Sequence, residues 1–409
     1  MRTAADNARS GTALAAHWTI DPAVSYLNHG SFGATPKHVI EFQQTMRDRM
    51  ERQGVRFFVR DLEGLLDSAR AELGAFLGAD ADDLAFISNA TTGVNAVLRS
   101  LDFGPGDELL TTNQEYNACA NALRYIAERS GATPVVAEIP FPIASPDQVV
   151  EAVLSMVTDR TRIALLDHVT SQTGLVFPIE RLVRELEARG VDTLVDGAHS
   201  PGMVEVDIDR LGAAYYTGNL HKWVCAPKGA AFLHVRRDRQ ERIRPAIISH
   251  GANSPRTDRS RFRVEFDWMG TDDPTAWLAA PEAIRFMGSL LPGGWDEVRR
   301  RNRELCLASR RVLCERLGVA IPAPEEMIGS IASIPLVDGA DAPQPSALFL
   351  DPMQDVLLEE FGIEVPVIPW PAPPKRLLRI SAQLYNEASE YERLATAVER
   401  ALEGERTTT

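Results

Sequence analysis

The run Val195-Asp196-Gly197-Ala198-His199-Ser200 ends an apolar segment, and Thr217-Gly218-Asn219-Leu220-His221-Lys222-Trp223 follows it, with Lys222 standing 26 residues after Asp196. Alone, an aspartate closing an apolar strand is usually a turn residue, and a lysine is usually a solvated charge. Here the two close successive strand-like runs, each beside a histidine: His199 three residues after Asp196, and His221 next to Lys222. Lys222 continues into Trp223-Val224 and Pro227-Lys228-Gly229, an apolar setting in which a lysine amine is easily held uncharged and nucleophilic. A buried carboxylate with a nearby nucleophilic lysine is the pairing that pyridoxal 5'-phosphate (PLP) needs. The amine forms a Schiff base with the aldehyde, and the carboxylate keeps the pyridinium nitrogen protonated so that the ring can draw off electrons.

Outward from this pair the pattern repeats. Apolar runs at 84–88, 108–112, 133–139, 162–167, 191–196, 214–217 and 230–235 read as strands. Segments of period near 3.6 at 60–77, 92–100, 116–130, 146–157 and 179–189 read as helices between them. Such alternation predicts an α/β fold with a mainly parallel, seven-stranded sheet buried on both faces. Ligands of open α/β sheets lie beyond the carboxyl ends of the strands, where Asp196 and His168 fall. After about residue 272 the texture changes. A basic helix over 295–317, short strands at 331–336, 363–367 and 377–381, and an amphipathic helix over 386–402 predict a smaller α+β domain. The expected division is an N-terminal arm (1–20), a large domain (21–271) and a small C-terminal domain (272–409).

The 409 residues carry 44% hydrophobic and 24% charged side chains, a globular composition. A net charge of −14 argues against a nucleic-acid backbone or an anionic membrane surface as partner. Cys119, Cys225, Cys306 and Cys314 are scattered without metal-ligand spacing. No metal site is expected, and the cysteine usage suits a reducing cytoplasm. The run Asn89-Ala90-Thr91-Thr92-Gly93 opens a helix after a strand. Its amides and hydroxyls suit a phosphate, or Thr91 or Thr92 simply caps the helix. There is no G-x-G-x-x-G or Walker pattern.

Tyr26-Leu-Asn-His-Gly-Ser-Phe-Gly33, Asn89-Ala-Thr-Thr-Gly93, Gln114-Glu-Tyr116, His168-Val-Thr-Ser-Gln-Thr-Gly174, Asp196-Gly-Ala-His199, Gly218-Asn-Leu-His-Lys-Trp223 and Arg379-Ile-Ser381 stand in this order along the chain. With them the sequence resembles the class V aminotransferase family of PLP enzymes, fold type I, and within it the isopenicillin N epimerase-like branch. The resemblance implies roles residue by residue. Lys222, Asp196 and His199 would be catalytic. Thr91, Thr92, Asn219 and His221 would hold the phosphate, Tyr116 would stack on the ring, and Ser171 and His199 would meet the phenolic oxygen. Arg379 would grip the α-carboxylate of an amino-acid substrate, with Asn28 and His29 on the substrate side. Thr271 would reach the phosphate in a second subunit, so that a homodimer shares its sites.

The implied activity is epimerisation or racemisation at Cα, in natural-product metabolism. PLP-dependent C–S β-elimination and transamination are the alternatives, and a non-catalytic binding protein is a weaker one, since both Asp196 and Lys222 are present. Cysteine desulfurases of this superfamily carry a catalytic cysteine shortly before the matching arginine; residues 363–378 contain none.

Overall fold

In a computed structural model, which describes residues 12–339 and 351–408, the apolar runs form twelve strands. They are β1 Ser25–Tyr26, β2 Leu84–Ile87, β3 Glu108–Thr112, β4 Thr133–Ala137, β5 Thr161–Asp167, β6 Asp192–Asp196, β7 Tyr215–Asn219, β8 Ala231–Val235, β9 Ile331–Pro335, β10 Ile363–Glu364, β11 Val367–Pro369 and β12 Arg376–Ser381.

Seven of them build one sheet in the order β2-β8-β7-β6-β5-β3-β4. The pairs from β7 through to β4 are parallel, and β8 runs antiparallel to both β7 and β2. The mainly parallel seven-stranded sheet is therefore present as expected. Its strands other than the edge strand β4 read as continuous apolar runs because successive side chains enter opposite, equally buried layers. Leu166, Val195, Tyr216 and Phe232 belong to one core, and Leu165, Leu194, Tyr215 and Leu233 to the other.

The second sheet, β11-β12-β9, is antiparallel and lies wholly in the C-terminal part. Helices Gly294–Leu317 and Ala388–Thr408 accompany it. The single strand expected over 363–367 divides: β10 pairs in parallel with β1, and β11 joins β12. Pro366 sits at the break, where it has no N–H to give to a ladder, and its carbonyl accepts from Arg379 N. Helix Lys37–Arg52 did not stand out in the sequence, because its apolar stripe is narrow and only Val39 and Gln43 are buried. Of the expected N-terminal arm, residues 1–11 lie outside the described residues. Ala13–His17 form a 3₁₀ turn that leads into the buried Trp18. No helix among the described residues is long and apolar enough to cross a membrane.

Candidate active site

The sheet brings the carboxyl ends of its central strands together. Asp167 and Asp196 are register partners at the ends of β5 and β6, and Asn219 ends β7 opposite Ala231, which also pairs with Ile87 at the end of β2. One crevice therefore receives the Asp196 loop, the Lys222 loop and the start of helix Ala90–Ser100.

Asp196 is 2% exposed. Its Oδ1 accepts from Ala198 N at 2.9 Å and its Oδ2 from the Cys119 thiol at 3.1 Å. Glu115 and Asp167 are buried close by. Both oxygens of Glu115 and Oδ2 of Asp167 lack a donor. Burial, followed by the charge of Asp167, pushes the Glu115 carboxyl well above the usual range, and burial with the charge of Asp196 does the same to Asp167. Burial raises Asp196 too, but its thiol and amide donors oppose that. Of the three carboxyls, Asp196 is the one equipped to carry the negative charge.

Lys222 lies in the loop between β7 and β8, closed by Leu220 N to Ala230 O and Ala226 N to Leu220 O. Its Nζ is 3.0 Å from Nε2 of His199. Burial first, then the charge of Arg379, lowers the amine to about 8, against the opposing pull of Asp196. Three residues on, Cys225 adopts φ 61°, the left-handed region that non-glycine residues avoid, and its amide closes a turn onto Lys222 O.

The phosphate-loop expectation meets a helix N-terminus, but its cap is Asn89 rather than Thr91 or Thr92: Asn89 Oδ1 accepts from Thr92 N at 2.9 Å and from the Thr92 hydroxyl at 3.1 Å. Asn219 Oδ1 accepts from Ala90 N at 2.9 Å, which leaves its amide hydrogens as donors. Gly93 is required here, since a Cβ would lie 2.4 Å from Thr217 Oγ1. His221 Nδ1 is 3.2 Å from Ala230 O and, as a carbonyl only accepts, the ring donates there. Burial, followed by the Lys222 charge, lowers His221 to about 4. Tyr116 precedes helix Asn117–Ser130 and is 39% exposed.

Arg379 on β12 is buried and lacks an acidic partner among the described residues. Its Nη1 donates to Ser171 O at 2.8 Å and Ser171 Oγ at 3.3 Å. Its Nη2 donates to Ser31 Oγ at 2.7 Å and Asn28 Oδ1 at 3.4 Å, and its Nε has no partner. Burial lowers even this guanidinium to about 10. Ser171, which the resemblance places at the phenolic oxygen, hydrogen-bonds the arginine, and Asn28 stands beside the same arginine.

His29 belongs elsewhere than on the substrate side. It is 0% exposed, and its ring nitrogens meet Tyr385 OH at 2.8 Å and Lys222 O at 3.0 Å. It holds the backbone of the lysine loop, and burial lowers it to about 3, so it does so uncharged. Thr271 is exposed. Sequence reasoning missed Ser31, Cys119, Glu115 and Trp223. Ser31 lay inside a quoted motif. Cys119 follows Glu115 by four, the spacing that brings both to one side of a helix start.

These groups fit PLP. A buried carboxylate with charge to offer, a lysine amine near neutrality, a helix N-terminus with hydroxyls and a free amide, and a buried guanidinium without an acid answer the cofactor's pyridinium, aldehyde and phosphate and a substrate carboxylate.

Known proteins resemble this chain. Isopenicillin N epimerase of Amycolatopsis lactamdurans is 37% identical over 412 residues, covering 97% of this chain and 98% of that protein. A probable chloroplastic L-cysteine desulfhydrase of Arabidopsis thaliana is 31% identical over 405 residues, covering 92% of this chain and 83% of that protein. Among solved structures, the cystine C–S lyase C-DES with its product cysteine persulfide superposes at TM-score 0.74 with 23% identity, covering 91% of this chain and 96% of that one. The apo cysteine desulfurase of Thermococcus onnurineus NA1 gives TM-score 0.76 with 19% identity, covering 99% of both chains. At these identities the structural likeness speaks for the fold alone. The family model for class-V aminotransferases spans residues 13–394. With Asp196, Lys222 and Arg379 gathered at one crevice of that fold, the chain belongs to the class-V aminotransferase family.

Proposed function

We propose that the protein is a PLP-dependent enzyme acting at Cα of an amino-acid substrate, with epimerase-like chemistry. When bound, the cofactor supplies an aldehyde for the substrate amine and an electron sink for Cα. The chain's own residues do the rest. Arg379 holds the α-carboxylate through its charge and its unpartnered Nε–H, and Ser31, Asn28 and Ser171 fix the plane of the guanidinium. Lys222, close to neutrality, takes the Cα proton on its own face, and inversion is completed by a proton delivered to the opposite face. Asp196 would supply the negative charge that keeps the ring nitrogen protonated. Asn219, Thr91, Thr92 and the amides of the helix start hold the phosphate. His221 contributes a charged donor only where the phosphate dianion raises its proton affinity, since its Nδ1–H is spent on Ala230 O.

The observation that carries this reading is the buried Arg379 without an acidic partner among the described residues, an arrangement that is costly unless an anion completes it. Relatives named as isopenicillin N epimerases, at 34–37% identity, support epimerisation over C–S cleavage. All four cysteines are buried, which speaks against a persulfide-carrying thiol. Exposed Val55 (72%) and Val59 (74%), with exposed Thr271, support a homodimer with shared sites.

In deuterium oxide, a true substrate should exchange its α-hydrogen and appear in both configurations, with no keto acid. Pyruvate and ammonia from an S-substituted cysteine, without interconversion, would decide for the lyase. Accumulation of the pyridoxamine form would decide for the aminotransferase.

A further inference from the structure

Asn28 does more than accept from Arg379. Its Nδ2 also donates to Glu364 Oε1 at 3.3 Å. Asn28 and Glu364 both line a cavity of about 790 Å³ whose other walls include Trp18, Phe32, Ile40 and Leu358. The cavity is therefore separated from the carboxylate clamp by one side chain. On another side its wall includes Gly33, whose backbone lies so tightly on the lysine loop that a Cβ would stand 1.9 Å from His221 O.

This space is out of scale with a small substrate. It falls within the roughly 300–1,000 Å³ of pockets that bury drug-sized ligands, whereas cysteine or alanine adds only a few heavy atoms beyond its carboxylate. Its lining is mainly apolar, with Asp21, Arg47, Lys228 and Glu364 set among the apolar groups. Phe32 is 66% exposed, Ile40 44% and Leu358 36%, so large apolar side chains face the opening and leave apolar surface for a ligand to cover.

We propose that this cavity is the subsite for the substrate's side group, and that the enzyme takes α-amino acids bearing a bulky, mainly apolar side group in preference to small ones. The proposal rests on Arg379 as the carboxylate clamp. Once the carboxylate is held there and Cα is turned toward Lys222, the way past Asn28 leads to room for a large substituent.

The test is binding to the holoenzyme without turnover. α-Methylphenylalanine and 2-methylalanine have no Cα hydrogen, so calorimetry reads affinity alone. The aromatic ligand should bind about tenfold more tightly or better, the order expected for covering one ring. Ile40→Trp and Leu358→Trp, which fill the cavity, should each erase that lead and leave the affinity of 2-methylalanine unchanged. Thermal melts show which variants fold, and either one suffices. Equal affinities in the native enzyme would overturn the proposal. So would a loss common to both ligands in the variants, or a fall in dimer affinity on Ile40→Trp, which would assign the cavity to the subunit contact. A size preference without any deuterium exchange would sink the reaction proposed above and leave the subsite standing.

Discussion

The amine of Lys222 and Nε2 of His199 stand 3.0 Å apart, and Nδ1 of the same ring receives the Trp223 indole N–H at 3.4 Å. An indole nitrogen only donates, so Nδ1 accepts and the single hydrogen of the neutral ring sits on Nε2, where it is offered to the lone pair of an uncharged amine. A hydrogen bond to the neutral form holds a lysine's pKa down. Removing it with His199→Ala, or loosening the tautomer with Trp223→Phe, should raise Lys222 above its value of about 8. A bond worth about 1 kcal/mol corresponds to about 0.7 of a pH unit. The pH midpoint for reloading apoprotein with PLP should move up accordingly. An unmoved midpoint in both variants would refute the assignment.

Lys222 should also weaken the apoprotein. Its folded value of about 8 lies below the ordinary 10.5. Between those two pH values the unfolded chain binds more protons, so stability rises with pH across that window. Below pH 8 the penalty is fully present. Lys222→Met should therefore be more stable than the native apoprotein at pH 7, by about 3 kcal/mol, with the gap closing toward pH 10.5. A variant less stable at pH 7 would contradict this.

Asp196→Asn keeps the shape and removes the charge. Preorganised charge terms of this kind are worth about 2.7–4 kcal/mol, so turnover should fall about a hundredfold to a thousandfold while the melting temperature of the apoprotein holds or rises, since a buried carboxylate is removed. Near-normal turnover would eliminate the role.

Gly33→Ala meets two obstacles at once. Residue 33 has φ 68°, and the new Cβ would lie 1.9 Å from His221 O. The lysine loop has to shift, so we expect several kcal/mol of destabilisation and a loss of covalent cofactor at Lys222 after borohydride reduction, read by peptide mass spectrometry. Retention of both properties would mean that the loop is softer than its packing implies.

Sedimentation equilibrium should give a dimer at assay concentrations. Val59→Lys, which places a charge at a side chain 74% exposed in the single chain, should shift it toward monomer and cut activity in parallel. A fully active monomer would rule out shared sites.

Much of this was legible in the sequence. Six of the seven strands announced themselves through near-complete burial, β4 at the sheet edge being partly exposed; Asp196 stood out because it closes one buried strand, and Lys222 because it follows closely on the next. The clamp was legible only in Arg379 itself. Ser31 supports it from 348 residues away, a relation no local pattern encodes. His29 was misplaced because adjacency to Asn28 says nothing about direction: one side chain turns to the arginine and the next to the backbone of the lysine loop. Glu115 and Cys119 matter through Asp196, a contact made across the sheet rather than along the chain.

The pairing of β1 with β10, together with the contacts of Ser31 and Asn28 to Arg379, has a consequence for how the chain comes to exist. Synthesis delivers the central strands, Asp196 and Lys222 in the first 235 residues, yet the clamp closes only after residue 379 has emerged and returned to a segment made at the start. Contacts of such separation are slow to form and carry the entropy of closing nearly the whole chain. A nascent or truncated chain can therefore present the lysine and its carboxylate before it can grip an amino acid. On the roles proposed above, the lysine would gain its substrate clamp only once residues 28–31 and 379 have met.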